Sequence, residues 1–340
     1  MRSVSVSPHV RSGASTATIM RDVAIALTPS LVFGVFVFGL RALVIICLSI
    51  VTCLLTEYLW QRLMKLPVTV ADGSALVTGM ILAVNLPASV PWWIPVMGGV
   101  FAILVVKQLF GGIGQNIMNP ALAARCFLVI SFPALLGSRM PAVGQIFGSD
   151  MWAGFGQRMS TMAVDAATTP TPLALLRSGE SIDLLQAFLG ARSGCIGEVC
   201  APAILLGAVY MLARGVISLH ITGTYLVSTA GFVFLLNLLA GGGIMPLTTL
   251  AGHMLTGGLL TGAVFMASDY TTSPITRRGQ VVYGILLGFL TGLFRVFGTS
   301  AEGVSYAIII GNTLVPLIER VTAPRPFGVP RRQKKGGAAQ

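Results

Sequence analysis

Three stretches of this sequence gather side chains that could do chemistry. The first is Asp165-Ala166-Ala167-Thr168-Thr169-Pro170-Thr171-Pro172-Leu173, where three threonine hydroxyls stand among prolines. On composition alone, a polar loop of this kind is solvated and inert. The second is Gly111-Gly112-Ile113-Gly114-Gln115-Asn116-Ile117-Met118-Asn119-Pro120-Ala121. Glycines permit a close backbone approach to a ligand, and each asparagine side chain both donates and accepts hydrogen bonds. Asn119-Pro120 also reads as a helix N-cap followed by proline at the first helical position. The third is Ser268-Asp269-Tyr270-Thr271-Thr272-Ser273. Here Asp269 lies among hydroxyls and small residues that could ligate a hard cation through oxygen or relay a proton.

Other chemistries have less support. The five cysteines (Cys47, Cys53, Cys126, Cys195, Cys200) form no CxxC pair and no Cys/His cluster. Most lie in apolar runs, where Cys behaves as a small hydrophobe. Cys195 and Cys200 flank Glu198 at a helix start, which argues against a disulfide, and two thiols are too few for an iron–sulfur cluster. No strand precedes the glycine-rich stretch, so it is not a dinucleotide fingerprint. His220 and His253 lie inside apolar runs and read as hydrogen-bonded packing residues. Ionisable residues at membrane depth are functional by default. Asp22, Glu57, Asp72, Glu198 and Glu302, however, fall at the ends of apolar runs, where snorkelling or capping accounts for them.

The elements that must position these residues are membrane helices. Of 340 residues, 54% are hydrophobic and 10% charged, with a mean hydropathy of +0.85. A soluble domain carries about 25% charged residues, so this chain could not solvate its own surface in water. The 40 glycines suit closely packed membrane helices. No cleavable signal is evident in the polar start, which carries Arg2, Arg11 and Arg21. At roughly 20 apolar residues per span, the sequence predicts an all-α integral membrane protein of about ten transmembrane helices. They fall near 23–40, 42–60, 74–90, 92–110, 119–137, 199–213, 216–240, 245–267, 280–297 and 302–319. The third and sixth are short and the fifth carries Arg125. The chain divides into an N-terminal segment (1–22), a first half (23–137), an outer loop (138–198), a second half (199–319) and a basic tail (320–340).

An even number of spans puts both termini on one side. Most of the basic residues fall on that side, among them Arg62, Lys65, Lys107, Arg214, Arg277, Arg278 and the tail cluster Arg331, Arg332, Lys334, Lys335. The positive-inside rule makes the termini cytoplasmic and 138–198 an outer loop. The net charge of +11 is thus spread over short loops and one tail, not one face, which excludes nucleic acid as a partner. A faint internal repeat links Ala75–Ala83 of the third span to Leu260–Ala267 of the eighth, and Asn119 of the fifth to Asn312 of the tenth. Two halves of five spans have opposite topology, the inverted-repeat pattern of transporters, with the working site expected between them.

These motifs resemble the RnfD/NqrB family. Asp165, Thr168 and Thr171-Pro172-Leu173 match the family's attachment pattern, with Thr169 and Pro170 standing where Gly and Ala are common. Ser7-Pro8-His9, Ile19–Leu27, the glycine-rich stretch with Asn116 and Asn119, Gly197-Glu198, Ser268–Pro274, Glu302-Gly303 and Asn312 extend the match over nearly the whole chain. The family's N-terminal extension in NqrB is absent, which makes RnfD the closer likeness. The resemblance implies an FMN joined through a phosphoester to Thr171 by a separate transferase. It also implies a second, noncovalent flavin, riboflavin, near Asn116, where two asparagines would suit the polar edge of an isoalloxazine ring. It further implies a multi-pass protein of the bacterial inner (plasma) membrane, assembled with Rnf subunits A, B, C, E and G. That complex couples electron flow between reduced ferredoxin and NAD⁺ to Na⁺ or H⁺ movement. The alternatives are the NqrB component of a Na⁺-translocating NADH:quinone reductase, or a non-redox transporter of the same architecture.

Overall fold

The computed structural model describes residues 15–136, 172–177, 182–190, 194–241, 243–298 and 303–324. Among them every regular element is helical, as the composition requires of a chain in lipid, where backbone groups must be satisfied internally. Helices α1 (Thr16–Phe38) and α2 (Leu40–Leu63) form a hairpin about Gly39. α3 (Ser74–Val84) follows, then α4 (Trp93–Val100), which continues unbroken as a π-helix over Phe101–Gln108. α5 (Pro120–Ser131) and the short α6 (Pro133–Leu136) end the first half. The long loop contributes α7 (Pro172–Arg177) and α8 (Leu184–Leu189). The second half holds α9 (Ala201–Ala213), α10 (Leu219–Leu239), α11 (Leu247–Leu255) and α12 (Leu259–Thr261), which runs on as a π-helix over Gly262–Met266. α13 (Arg277–Phe297) and α14 (Gly303–Thr322) close the bundle.

Five helices, α1, α2, α10, α13 and α14, are long and apolar enough to cross a membrane. α11 and α12 with its π-segment make a sixth, bent by 59°. α3, Trp93–Gln108, α5 and α9 are shorter apolar helices, each inside one of the other expected spans. Interrupted backbone at membrane depth is tolerated where protein covers it, and α3 is covered. Ala75 and Leu82 through Val84 are fully buried, and the backbone at the end of α3 is paired with a distant segment. The Ile196 and Gly197 N–H groups donate to the Leu86 and Val84 carbonyls, both at 3.0 Å. The Ser30 hydroxyl donates to the Gly197 carbonyl at 2.7 Å.

The eighth expected span is broken, which its apolar run did not show. α11 ends at Leu255, and α12 starts only after Gly258, whose φ of 67° lies in the left-handed region. The carbonyls freed at the break are taken up by Arg295 of α13, which is 2% exposed. Its guanidinium donates to Thr256 at 2.7 Å, to Gly257 at 3.4 Å and to His253. α3 likewise starts after a left-handed glycine, Gly73. The echoed asparagines occupy unlike places: Asn119 opens α5, while Asn312 is buried inside α14. In the orientation that satisfies its amide, Asn312 accepts from the Asn119 N–H and donates to the Tyr283 hydroxyl.

α10 and α13 pack through a ladder of small residues. Gly284, Gly288 and Gly292 of α13 face Thr224, Ser228 and Phe232 of α10, so a Cβ on any of them would meet the other helix. At Gly288 it would lie 2.7 Å from the Thr229 amide nitrogen, a backbone atom that cannot swing away. The closeness lets Ser228 donate to the Gly284 carbonyl at 2.9 Å. Overpacking such a contact costs about 1–3 kcal/mol. Gly288→Leu should therefore lower the unfolding temperature in detergent, while Val227→Leu, on the exposed face of α10, should not. Equal melting of the two variants would contradict this packing.

Hydrogen bonds show which helix ends share a face of the bundle. Asp22 near the start of α1 pairs with Arg214 after α9, Asn119 at the start of α5 with Asp269 after α12, and Ile275 and Thr276 before α13 with Glu319 and Thr322 of α14. The opposite end carries the Arg41 contacts to the Ser89 and Val90 carbonyls and the contact of Arg177 with the end of α13.

Candidate functional site

A pocket opens at the end of the bundle that carries the start of α1. It is lined by Met20 and Val23 of α1, Ser74, Thr78 and Ile81 of α3, Lys107, the turn before α5, and Val264 to Thr271. The turn reaches it through Gly111, Gly112 and Gly114, with φ of 113°, 97° and 86°. Those angles are open to glycine and costly for other residues. No side chain crowds Gly112 or Gly114 within 4 Å, so conformation and not space requires glycine there.

Three candidates from two separate parts of the sequence meet in this pocket. Asn119 caps α5: its Oδ1 accepts from the Ala121 and Leu122 N–H groups at 3.1 and 3.3 Å, with Pro120 at the first helical position. Its Nδ2 donates to Asp269 Oδ2 at 3.2 Å. The cap and ligand readings are therefore compatible, since each uses a different end of the amide. Asn116 Nδ2 donates to the Met118 carbonyl and to Thr271 Oγ1, both at 3.1 Å. The Thr271 hydroxyl and N–H reach Asp269 Oδ1 at 3.3 Å. Asn116, Thr271, Asp269 and Asn119 thus form one polar band, with Val264, Phe265 and Ile81 as apolar wall.

Lys107 lines the same pocket and was read from sequence only as a loop cation. Its ammonium is 2.9 and 2.7 Å from the two oxygens of Glu57 and 2.6 Å from Ser74 Oγ. Gln108 and Gln61 also donate to Glu57 Oε1, at 3.1 and 3.3 Å. Glu57 is 1% exposed, so it does not snorkel. Asp22 and Glu198, also expected to snorkel or cap, are likewise buried in ion pairs. Arg125 Nη1 donates to Glu198 Oε1 at 3.1 Å and to Asn85 Oδ1, and Glu198 lies against Gly258 at the start of α12. Asp72 precedes the Gly73 cap of α3 and accepts from the Ser74 N–H at 2.8 Å. Glu57 and Lys107 lie in the second and fourth expected spans, and no local signal in the sequence paired them.

Asp165, Thr168, Thr171 and Glu302 lie outside the described residues. Pro172 is described. It opens α7, and Leu173, expected in a solvated loop, is 2% exposed. No group of three metal-ligating side chains occurs among the described residues.

The family model of NQR2, RnfD and RnfE matches residues 3–328. The chain belongs to this family. Its relatives include the D subunit of the Na⁺-translocating ferredoxin:NAD⁺ oxidoreductase complex of Acetobacterium woodii, 43% identical over 98% of both chains. The D subunit of the proton-translocating ferredoxin:NAD⁺ oxidoreductase complex of Clostridium ljungdahlii is 36% identical over 96% of both. The D subunit of the ion-translocating oxidoreductase complex of Escherichia fergusonii is 34% identical, over 96% of this chain and 98% of that protein. The family likeness covers both the glycine-rich turn and Asp269, so the pocket falls within the shared part. The first two relatives name different ions.

Proposed function

We propose that this chain is the D-type membrane subunit of an ion-translocating ferredoxin:NAD⁺ oxidoreductase, with one flavin joined to Thr171 and a second, riboflavin, held in the pocket. Full-length likeness to three D subunits supports the complex, with the other Rnf subunits (A, B, C, E and G) as partners. It operates in the bacterial inner membrane, with cytoplasmic termini and the pocket on the cytoplasmic side, in line with the basic residues at that end. The coupling ion is Na⁺ or H⁺.

The observation that carries the pocket reading is the polar band itself. An isoalloxazine has one apolar edge and one edge of mixed donors and acceptors. The pocket lining offers both kinds of group, Phe265 and Ile81 together with Asn116, Asn119 and Thr271, and its cavity of about 80 Å³ must widen to admit the ring. In chemistry these residues fit the group. When bound, a flavin supplies one- or two-electron transfer, and the protein positions and tunes it. Asn116 and Asn119 orient the ring through their amides, and Phe265 and Ile81 exclude water from its faces. Lys107 contributes a fixed positive charge restrained by Glu57. Asp269, tied to both asparagines through Thr271 and Asn119, is the proposed ion ligand or proton relay, which would join ion binding to the flavin's polar edge. For the covalent group, the fit rests on the hydroxyl of Thr171 beside Pro172-Leu173.

Two variants separate these roles. Asn116→Leu removes an amide from the band, and the loss of one or two hydrogen bonds should weaken riboflavin binding roughly tenfold. Purified complex should then release less flavin into acid while keeping its covalent fluorescence. Asp269→Asn should keep both flavins and lose the dependence of turnover on the coupling ion. Unchanged extractable flavin in Asn116→Leu would remove the flavin from this pocket. Unchanged ion dependence in Asp269→Asn would reduce Asp269 to a turn residue.

A further inference from the structure

We propose that Arg177 is a positioning residue that clasps α7, the helix opened by Pro172, onto the end of α13. The proposal rests on the reading of Thr171 as the flavin attachment residue.

α7 has six residues. Isolated helices shorter than about 12–15 residues are marginal in water, so its place must come from docking. Two features dock it. Leu173 and Leu176 are 2% and 7% exposed, and α7 packs against α11. Gly252 of α11 makes the seat: a Cβ there would lie 3.2 Å from both terminal carbons of Leu176 and 3.1 Å from Ile182 Cδ1. At the other end of α7, Arg177 Nη2 donates to the Phe294 carbonyl at 3.0 Å and Nε to the Arg295 carbonyl at 3.1 Å. The planar guanidinium fork suits two successive carbonyls, and a cation is favoured in the last turn of a helix.

The anchor is no ordinary surface. Arg295, whose carbonyl Arg177 grips, is the residue whose side chain holds the carbonyls at the break between α11 and α12. The helix following Thr171, the end of α13 and the broken helix therefore form one connected unit. Arg177 sets how freely the tethered flavin moves relative to that break.

The test uses the purified complex. Denaturing gels and peptide mass report covalent flavin. Flavin anisotropy, read in an Asn116→Leu background after the weakened noncovalent flavin has been washed out, measures the motion of the tethered group. Thiol labelling of Leu173→Cys, in a Cys47→Ser background, measures docking without any flavin. Arg177→Gln should lower the anisotropy and raise labelling several-fold, and Arg177→Lys, which keeps a cationic donor, should restore most of both. Covalent flavin with unchanged anisotropy and unchanged labelling would overturn the proposal. So would labelling that rises equally in Arg177→Lys and Arg177→Gln. Absence of covalent flavin from the parent complex would instead refute the attachment reading, while labelling still decides the docking.

Discussion

Thr171→Ala is expected to abolish the covalent flavin altogether. A phosphoester needs a hydroxyl, and alanine has none, so the effect is complete and not graded. Thr168→Ala should at most weaken modification, because Thr168 holds the pattern's upstream position and not the one before Pro172-Leu173. The family spacing from Asp165 selects the same residue. Peptide mass spectrometry should find the added FMN mass on the fragment containing Thr171, and in-gel fluorescence should vanish in Thr171→Ala alone. The membrane bundle should persist, because α7 begins one residue later, at Pro172, and keeps Leu173, Leu176 and Arg177. Flavin mass on Thr168 or Thr169, or residual fluorescence in Thr171→Ala, would move the site, with Thr169 and Pro170 the departures to examine.

The second large effect is expected at Lys107. Removing one partner of a buried ion pair costs roughly 3–5 kcal/mol, because the other charge stays desolvated. In Lys107→Met, the Glu57 carboxylate would keep only the neutral amides of Gln108 and Gln61. The variant should lose most of its monodisperse yield in detergent. The double variant Glu57→Leu/Lys107→Met removes both charges and should recover most of it, since apolar replacement of a whole buried pair is often neutral. Size-exclusion profiles and thermal unfolding of the three proteins decide the matter. A stable Lys107→Met would mean that water reaches Glu57 in the assembled protein. The other ion pairs should respond differently. Arg214 is half exposed, so its pairing with Asp22 should matter far less.

Membrane character was legible because lipid constrains nearly every residue of a span, and composition alone carries that. The cap at Asn119 was legible because Asn-Pro satisfies two local rules at once. Local signals failed where the partner is distant. Glu57 and Lys107 are 50 residues apart, and Arg125 and Glu198 are 73 apart. Nothing in either neighbourhood says that the other charge will arrive. The break after Leu255 was similarly hidden. Thr256-Gly257-Gly258 hints at it, but the apolar run continues on both sides. The interruption is tolerated only because Arg295 approaches from α13. The convergence of Asn116, Asn119 and Asp269 on one pocket likewise depended on the start of α5 meeting the turn after α12, which the motifs did not encode.

The π-helical stretch Phe101–Gln108 makes the length of this segment, as well as its composition, subject to constraint. A π turn holds one more residue than an α turn and closes through i→i+5 bonds, as in the Leu109 N–H to Leu104 carbonyl bond of 3.0 Å. Loss of a single residue between Phe101 and Leu104 would let the helix relax to the ordinary repeat without breaking. The residues after it would keep their places, because what was the fifth residue along would become the fourth. Lys107 would still face Glu57. A second loss has no spare residue to absorb it and would turn Lys107 by about 100° about the axis, out of the pocket. A homologue can thus lose one residue from this stretch and keep the pair, whereas loss of two, invisible in hydropathy, would disconnect the two charges.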